Sequence, residues 1–509
     1  MHGTGMQAET TEGARAGRFI STGIRDFDAV LGGGLTPNRS YLLEGTPGSG
    51  KTTIALQFLL EGVRVGDRGL YITLSETVAE LREVARSHHW TLDGVELFEL
   101  VSSEGLDPDA EQSILEPSEV ELGETIRGVI ECVDRIRPAR VVFDSLSEMR
   151  LLAQNSLRYR RQILALKQYF STRECTVLML DDRSSDPADV QLHSIAHGVI
   201  TLQQAVEDYG AERRRLRVVK MRGVKYRGGY HDFVIETGGV QVFPRLIAAE
   251  HHREFSGEMA GSGVVALDRM LGGGLTRGTN TLLSGPSGVG KTSTAIRCAL
   301  AALERGEKAA YYLFDEGMGT MLARARSMGM DLRPYLDSGQ LRVQQIDPAE
   351  ISPGEFATWV RQAVVEGGAS FLAIDSLNAF LQAMPGEKYL LLQMHELLSF
   401  LNQQGVITML VLGQHGVIGE IRSDIDLSYL SDSIILFRFF EAKGSMLKAI
   451  SVSKSRTTPH ESSIREFTLG PGGLLVGEPL KDFDGVFSGL PHYRGATPLM
   501  PQQHDGSRE

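Results

Sequence analysis

Three cysteines in 509 residues are too few for a disulfide framework. Cys132, Cys175 and Cys298 each stand alone in an apolar or helical stretch and read as small core residues rather than metal or redox sites. A reducing cytoplasm fits that usage. No run of 18 or more apolar residues occurs, so no membrane span is expected. Met1 to Arg18 is polar and rich in Gly and Thr, without the apolar core of a secretory signal. Basic excess is also missing. Lys and Arg number 52 against 64 Asp and Glu, a net charge of −12. That balance argues against an extended nucleic-acid-binding surface and leaves room only for a local basic groove.

What the chain does have is one glycine-rich loop written twice. Gly45-Thr46-Pro47-Gly48-Ser49-Gly50-Lys51-Thr52 recurs 240 positions later as Gly285-Pro286-Ser287-Gly288-Val289-Gly290-Lys291-Thr292. Both fit G-x-x-x-x-G-K-[ST]. Backbone N–H groups of such a turn surround phosphate oxygens. Lys51 and Lys291 then reach the outer phosphates, and Thr52 and Thr292 ligate Mg²⁺. Thr53 and Ser293 follow in the binding stretch. In each copy a short apolar strand runs in (Tyr41 to Leu43; Thr281 to Leu283) and an amphipathic helix runs out (Ile54, Ala55, Phe58, Leu59; Ala295, Ile296, Ala299, Leu300). Strand, loop and helix in order, twice, is the context that makes the motif specific.

The repeat extends further. Asp28 to Leu35 matches Asp268 to Leu275, each closing on Leu-Gly-Gly-Gly-Leu. Leu70 to Glu76 matches Ala310 to Glu316, still at 240. Val141-Val142-Phe143-Asp144-Ser145 pairs with Leu372-Ala373-Ile374-Asp375-Ser376 at 231, so the first copy carries extra length, placed around Glu111 to Glu124. Each Asp-Ser is followed by a helix and another apolar strand. Strands alternating with helices predict an α/β fold with a mostly parallel sheet flanked by helices, built twice. The expected layout is a flexible segment 1–18, a first domain 19–248, a linker 249–260 containing His251 and His252, a second domain 261–480 and a flexible tail 481–509.

Asp144 and Asp375 each close an apolar strand about 90 residues after a phosphate loop, as the Mg²⁺-holding carboxylate of such a site does. Glu76 and the pair Asp315-Glu316 close the neighbouring strand and are candidate general bases. The stretch Arg213 to Gly223 is densely basic. It reads either as a nucleic-acid groove or as cations supplied to a phosphate held by a neighbouring subunit. The second half has the sparser Lys448 and Lys454-Ser455-Arg456, and the shared Lys-x-Arg core favours the phosphate role.

Taken together, these residues resemble the KaiC family of circadian clock ATPases, within the RecA-like superfamily, over roughly positions 18 to 490. The pieces are the duplicated GKT loop, the Leu-Gly-Gly-Gly-Leu lead-in, the two strand-Asp-Ser elements, Lys220-Met221-Arg222-Gly223 and Ser463 to Phe467. The resemblance implies two tandem RecA-like P-loop NTPase domains in hexameric double rings, with ATP and Mg²⁺ at subunit interfaces. By likeness, Lys220, Met221 and Arg222 reach ATP on the adjacent subunit's first domain. Lys448, Lys454 and Arg456 do so in the second. The first ring hydrolyses ATP slowly, and the second phosphorylates its own chain and reverses the transfer. Ser428 falls at the first acceptor position. Tyr429 stands where the clock proteins have Thr, and its longer ring does not suit the same in-line geometry.

Ser75 and Asp315 match the family's main catalytic acid. Ser75 lacks a carboxylate, so Glu76 has to serve in the first domain. Asp315 can act as base or help hold Mg²⁺. The tail from Gly485 resembles the end that binds a regulatory partner in the clock family. Two alternatives share the ATP core. One is a RecA-type DNA-binding recombination ATPase, disfavoured by the acidic balance and by the lack of interleaved aromatic and basic residues. The other is a nucleotide-sensing scaffold with weak catalysis, to which Ser75 lends support.

Overall fold

The structure, a computed structural model, describes residues 19–100, 117–153, 155–182, 189–205, 210–382, 389–414, 429–442, 444–487 and 492–495. The chain divides into two compact units, with the break between Arg245 and Leu246.

The first unit is built on nine strands: β1 (Ser40–Gly45), β2 (Gly69–Thr73), β3 (Val95–Glu99), β4 (Arg140–Asp144), β5 (Thr176–Asp182), β6 (Gly198–Ala205), β7 (Arg213–Met221), β8 (His231–Glu236) and β9 (Gly239–Phe243). They form one sheet in the order β3-β2-β4-β5-β1-β6-β7-β8-β9. The first six in that order run parallel, and β6 to β9 continue as antiparallel hairpins. β1 is buried along its whole length. A near-continuous apolar run is what a parallel strand covered on both faces requires. Side chains alternate across the sheet. Tyr41, Leu43, Tyr71 and Val142 pack on the face covered by the helix Lys51–Arg64. Leu42, Leu70, Ile72, Val141 and Phe143 pack on the other face, under helices that include Ser156–Thr172.

The second unit repeats the plan. Its sheet has the order Leu341–Gln345, Lys308–Leu313, Ala369–Asp375, Ile407–Gln414, Asn280–Pro286, Ser433–Ala442, Ser445–Ser455, Arg465–Gly470, Gly473–Pro479. Again the first six are parallel and the rest antiparallel. Leu283, Tyr311 and Ala373 face the helix Lys291–Glu304, and Leu282, Tyr312 and Ile374 face the opposite layer. The expected fold class holds in both halves. The extra length of the first copy falls where expected in part: the helix Pro117–Ile136 has 20 residues against 13 in Pro353–Val365.

The segments at the two expected boundaries make packing contacts of their own. Residues 249–260, expected as a linker, are packed on the second unit. The Gln404 amide donates to the His251 carbonyl, the His251 ring meets Phe400 edge-on at 5.3 Å, and Met259–Ala260 pairs with Leu275–Thr276. Phe255 lies against Gly278 and Gly405, where neither residue has a side chain to obstruct its ring. The start of the tail is ordered as well: Phe483 packs on Phe440 at 5.6 Å and Val486 is buried. Apolar residues at these few positions hold the segments down despite their polar composition. Residues 1–18 and the end of the tail lie outside the described residues.

Candidate functional site

Each phosphate loop joins the carboxyl end of a central strand to a helix: β1 to Lys51–Arg64, and Asn280–Pro286 to Lys291–Glu304. Gly48 and Gly50 have φ of 78° and 97°, and Gly288 and Gly290 have 75° and 124°. That region is open to glycine and strained for other residues. A Cβ on Gly50 would also stand 2.7 Å from Ile235 Cδ1. Lys51 Nζ donates to the Gly45 and Thr46 carbonyls (3.0 and 3.1 Å), and Lys291 Nζ to those of Gly285 and Pro286 (both 2.8 Å). Both lysines are thus folded over the loops that precede them. Thr53 and Ser293 are buried in the first helical turn, Val289 is in the core, and Ser49 Oγ is buried without a hydrogen-bond partner.

Asp144 and Asp375 end the strands one removed from the loop-bearing strands, at the same sheet edge, and are buried. Tyr71 Oη donates to Asp144 Oδ2 at 2.5 Å, and Tyr311 Oη to Asp375 Oδ2 at 2.9 Å. Burial raises both aspartate pKa values above the ordinary carboxylate range, against the opposing pull of these hydrogen bonds. Thr292 and Asp375 line the same pocket. The loop threonine and strand-end aspartate expected to hold a metal are therefore together in the second unit.

The candidate bases differ between the units. Ser75 is exposed, whereas Glu76 is partly buried, and its Oε2 has no hydrogen-bond partner. Burial first, then the charges of Asp144, Glu80 and Asp182, push its pKa up to about 7, against the opposing effect of Lys51. In the second unit Asp315 is exposed and accepts from the Ser376 hydroxyl. Glu316 is held by both arms of Arg324, with Nη1 to Oε1 at 2.9 Å and Nη2 to Oε2 at 2.7 Å. Ser287, Lys291, Thr292, Asp315, Glu316, Arg324, Asp375 and Ser376 line one pocket of about 730 Å³.

A family model described as the KaiC ATPase matches residues 20–247 and again 260–481. The chain belongs to the KaiC ATPase family. Among its curated relatives are the circadian clock protein KaiC3 of Synechocystis sp. and the circadian clock oscillator proteins KaiC of Synechococcus elongatus and Prochlorococcus marinus. The first is 28% identical over 93% of this chain and 94% of its own. The other two are 27% and 28% identical, each over 93% of this chain, with 91% and 95% of their own lengths covered.

Membership in this ATPase family implies nucleotide binding, and the residues present fit a magnesium nucleotide. Thr52 and Asp144 would hold the ion in the first unit, Thr292 and Asp375 in the second. The orphaned Ser49 Oγ and Glu76 Oε2 are polar atoms of this KaiC-family site with spare bonding capacity. Among the described residues no cluster of three or more His, Cys, Asp or Glu is placed to hold a metal. One carboxylate and one hydroxyl suit Mg²⁺, which keeps waters and takes the rest of its ligands from phosphates.

The basic elements separate by sheet edge. β7 runs antiparallel to β6, so its start lies at the loop edge and its end at the far edge. Gly45 registers with Leu202, whereas Lys220 registers with Val199 and the Arg222 N–H bonds the His197 carbonyl. At 3.3 Å per residue, Lys220 is set back about 10 Å and Arg222 about 16 Å along the strands from the start of their own loop. Lys220 donates to the His193 and Ala196 carbonyls and Arg222 to that of Ser194. Met221 is buried in the core. Arg215 and Arg217, nearer the loop edge, stand over the Tyr230 ring at 4.5 and 5.7 Å.

Lys454 and Arg456 repeat the far-edge placement. Lys454 registers with Ile434 and donates to the Ser431 carbonyl, and Arg456 bonds the Tyr429 carbonyl. Ser455 pairs its hydroxyl with Thr458. Lys448 registers with Phe439, past the point where Leu436 meets Ser284. It is at the loop edge, some 25 Å along the strand from Arg456, so the sheet does not bring it together with Lys454 and Arg456. Ser428 lies outside the described residues. Asp182, Arg324 and the two tyrosines were not singled out by sequence reasoning. Tyr71 and Tyr311 share the 240 offset, a signal that was available. Asp182 and Arg324 break the repeat.

Proposed function

We propose that this KaiC-family ATPase is a molecular switch: a homo-oligomeric double ring, hexameric by likeness to its family, with ATP and Mg²⁺ at subunit interfaces. In the first domain Glu76 takes a proton from water as its oxygen bonds to the γ-phosphorus and the bond to ADP breaks. In the second, the Ser428 hydroxyl oxygen bonds to the γ-phosphorus as the bond to ADP breaks and Asp315 receives the hydroxyl proton; the reverse transfer returns the phosphoryl group to ADP and the proton to Ser428. Mg²⁺ supplies charge neutralisation on the transferred group. Lys51 and Lys291 fix the outer phosphates. Lys220 and Arg222, and Lys454 and Arg456, complete the neighbouring subunit's pocket. The state of the ring is the output, in a clock-like or other regulatory circuit with a Kai-type partner.

The observation that carries this reading is the far-edge position of both Lys-x-Arg pairs. Cations set back by 10 to 16 Å from their own loop are poorly placed for their own triphosphate and well placed for one presented by an adjacent copy. The test is incubation of the full chain with γ-labelled ATP and Mg²⁺, followed by phosphosite mapping and native mass measurement. Label on Ser428 and a hexameric mass are expected. Normal ATP turnover with no label removes the autokinase, and a monomer under these conditions removes the interface.

A further inference from the structure

The helix after the base-bearing strand is Val78–Ser87 in the first unit and Met318–Ser327 in the second. The two correspond residue for residue at the offset of 240. Leu81 and Met321 are buried in their cores, as are Ala85 and Ala325, so both helices present the same face to their sheet. The position just before the second of these is Val84 in one and Arg324 in the other. Val84 packs partly buried against the apolar core. Arg324 instead extends to Glu316 and closes on it as a two-armed fork, and it lines the second pocket.

This substitution changes what the strand-end glutamate has available. Glu76 has a buried oxygen with no hydrogen-bond partner. It is free to accept a proton or a hydrogen bond. Glu316 spends both oxygens on a planar guanidinium, a geometry that Lys cannot reproduce. A carboxylate held in this way is aimed at the helix rather than at a water above the phosphates.

We propose that Arg324 is a positioning residue that pins Glu316 and so suppresses ATP hydrolysis in the second pocket relative to the first. The proposal rests on the reading of the strand-end glutamate as the base of hydrolysis. It assigns the difference between the pockets to a side chain outside the phosphate loop. Asp315, next to Glu316 but bonded to Ser376, is left free of the fork to serve transfer to a protein hydroxyl.

The experiment isolates each pocket in the full chain with Lys51→Ala or Lys291→Ala and measures kcat, KM and the affinity for a fluorescent ATP analogue. With only the second pocket active, Arg324→Val is expected to raise kcat about 10-fold with little change in affinity. Arg324→Lys should give a smaller rise, because the charge stays and the fork is lost. Glu316→Gln added to Arg324→Val should cancel the gain. With only the first pocket active, Val84→Arg should lower kcat. A fall in kcat on Arg324→Val, or weaker nucleotide affinity, would overturn the proposal by making Arg324 a supporting or phosphate-contacting residue. First-pocket hydrolysis unaffected by Glu76→Gln would instead defeat the base assignment, whatever Arg324 does. Ring mass and circular dichroism of each variant separate these outcomes from misfolding.

Discussion

Lys51 Nζ lies 2.7 Å from Asp182 Oδ1, and the sheet register puts Gly413 of the second unit where Asp182 stands in the first. Asp182 is half exposed, so the pair is worth at most about 1 kcal/mol. A triphosphate arriving at the first loop has to draw Lys51 away from this carboxylate. Asp182→Asn is therefore expected to tighten ATP binding at the first pocket by about 3- to 5-fold and to leave the second unchanged. Titration of a fluorescent ATP analogue into the Lys291→Ala chain reads the effect. Weaker binding would mean that Asp182 assists the metal side of the site.

With no carboxylate at position 413, Lys291 has less to offset its burial. Its pKa is lowered to about 8, with only the Asp375 charge opposing the shift. Contact with a triphosphate favours the ammonium form. Binding at the second pocket should thus take up a proton at pH 8.5 and almost none at pH 6.5, where Lys291 is already charged. Calorimetry of the Lys51→Ala chain in two buffers of different ionisation enthalpy measures this. Equal proton uptake at the two pH values would remove Lys291 as its source.

Glu76 acts in its deprotonated form, and its pKa is raised from 4.5 to about 7. First-pocket kcat/KM is expected to fall as pH drops below 7, not below 4.5, and Glu76→Gln to cost about 10² to 10⁴ in rate. The stability effect has the opposite direction. Between pH 4.5 and 7 the folded chain binds more protons here than the unfolded chain, so stability is lost as pH rises through that window. Glu76→Gln should raise Tm at pH 8, with the gain shrinking toward pH 5, in nucleotide-free protein followed by circular dichroism. A Tm gain that does not change with pH would contradict the raised pKa.

Much of this was legible because the chain repeats itself. Loops 240 apart, each between an apolar strand and an amphipathic helix, predicted two like sheets, and the all-buried β1 and Asn280–Pro286 are the strands that pattern implies. Asp144 and Asp375 were legible for the same reason. Direction within the sheet was harder to read. Lys448 and Arg456 are near in sequence, yet one strand carries them to opposite edges. The repeat points to what the copies share, whereas Arg324 and Asp182 stand where they differ, against Val84 and Gly413. His251 and Phe255 sit in a polar stretch, and only the packing of Phe400, Gly278 and Gly405 reveals what holds them.

The far-edge cations yield a test that needs no knowledge of the partner or output. If Lys220 and Arg222 complete a neighbour's pocket, a chain with Arg222→Ala still has a sound loop to offer. A chain with Lys51→Ala still has a sound Arg222. In a Lys291→Ala background, which silences the second pocket, each variant alone should lose most hydrolysis, by about 10³-fold or more for an arginine-finger-like cation. Mixed and reassembled, they should regain activity where a wild-type loop meets a wild-type edge. In a random ring of equal proportions that is about a quarter of the interfaces, the product of two even chances for sites that act independently. If Arg222 instead served its own chain's pocket, no mixture could recover, because every subunit would carry one broken half. Hydrolysis measured against mixing ratio separates the two cases: a maximum near equal proportions supports the shared pocket, and a flat line at background excludes it.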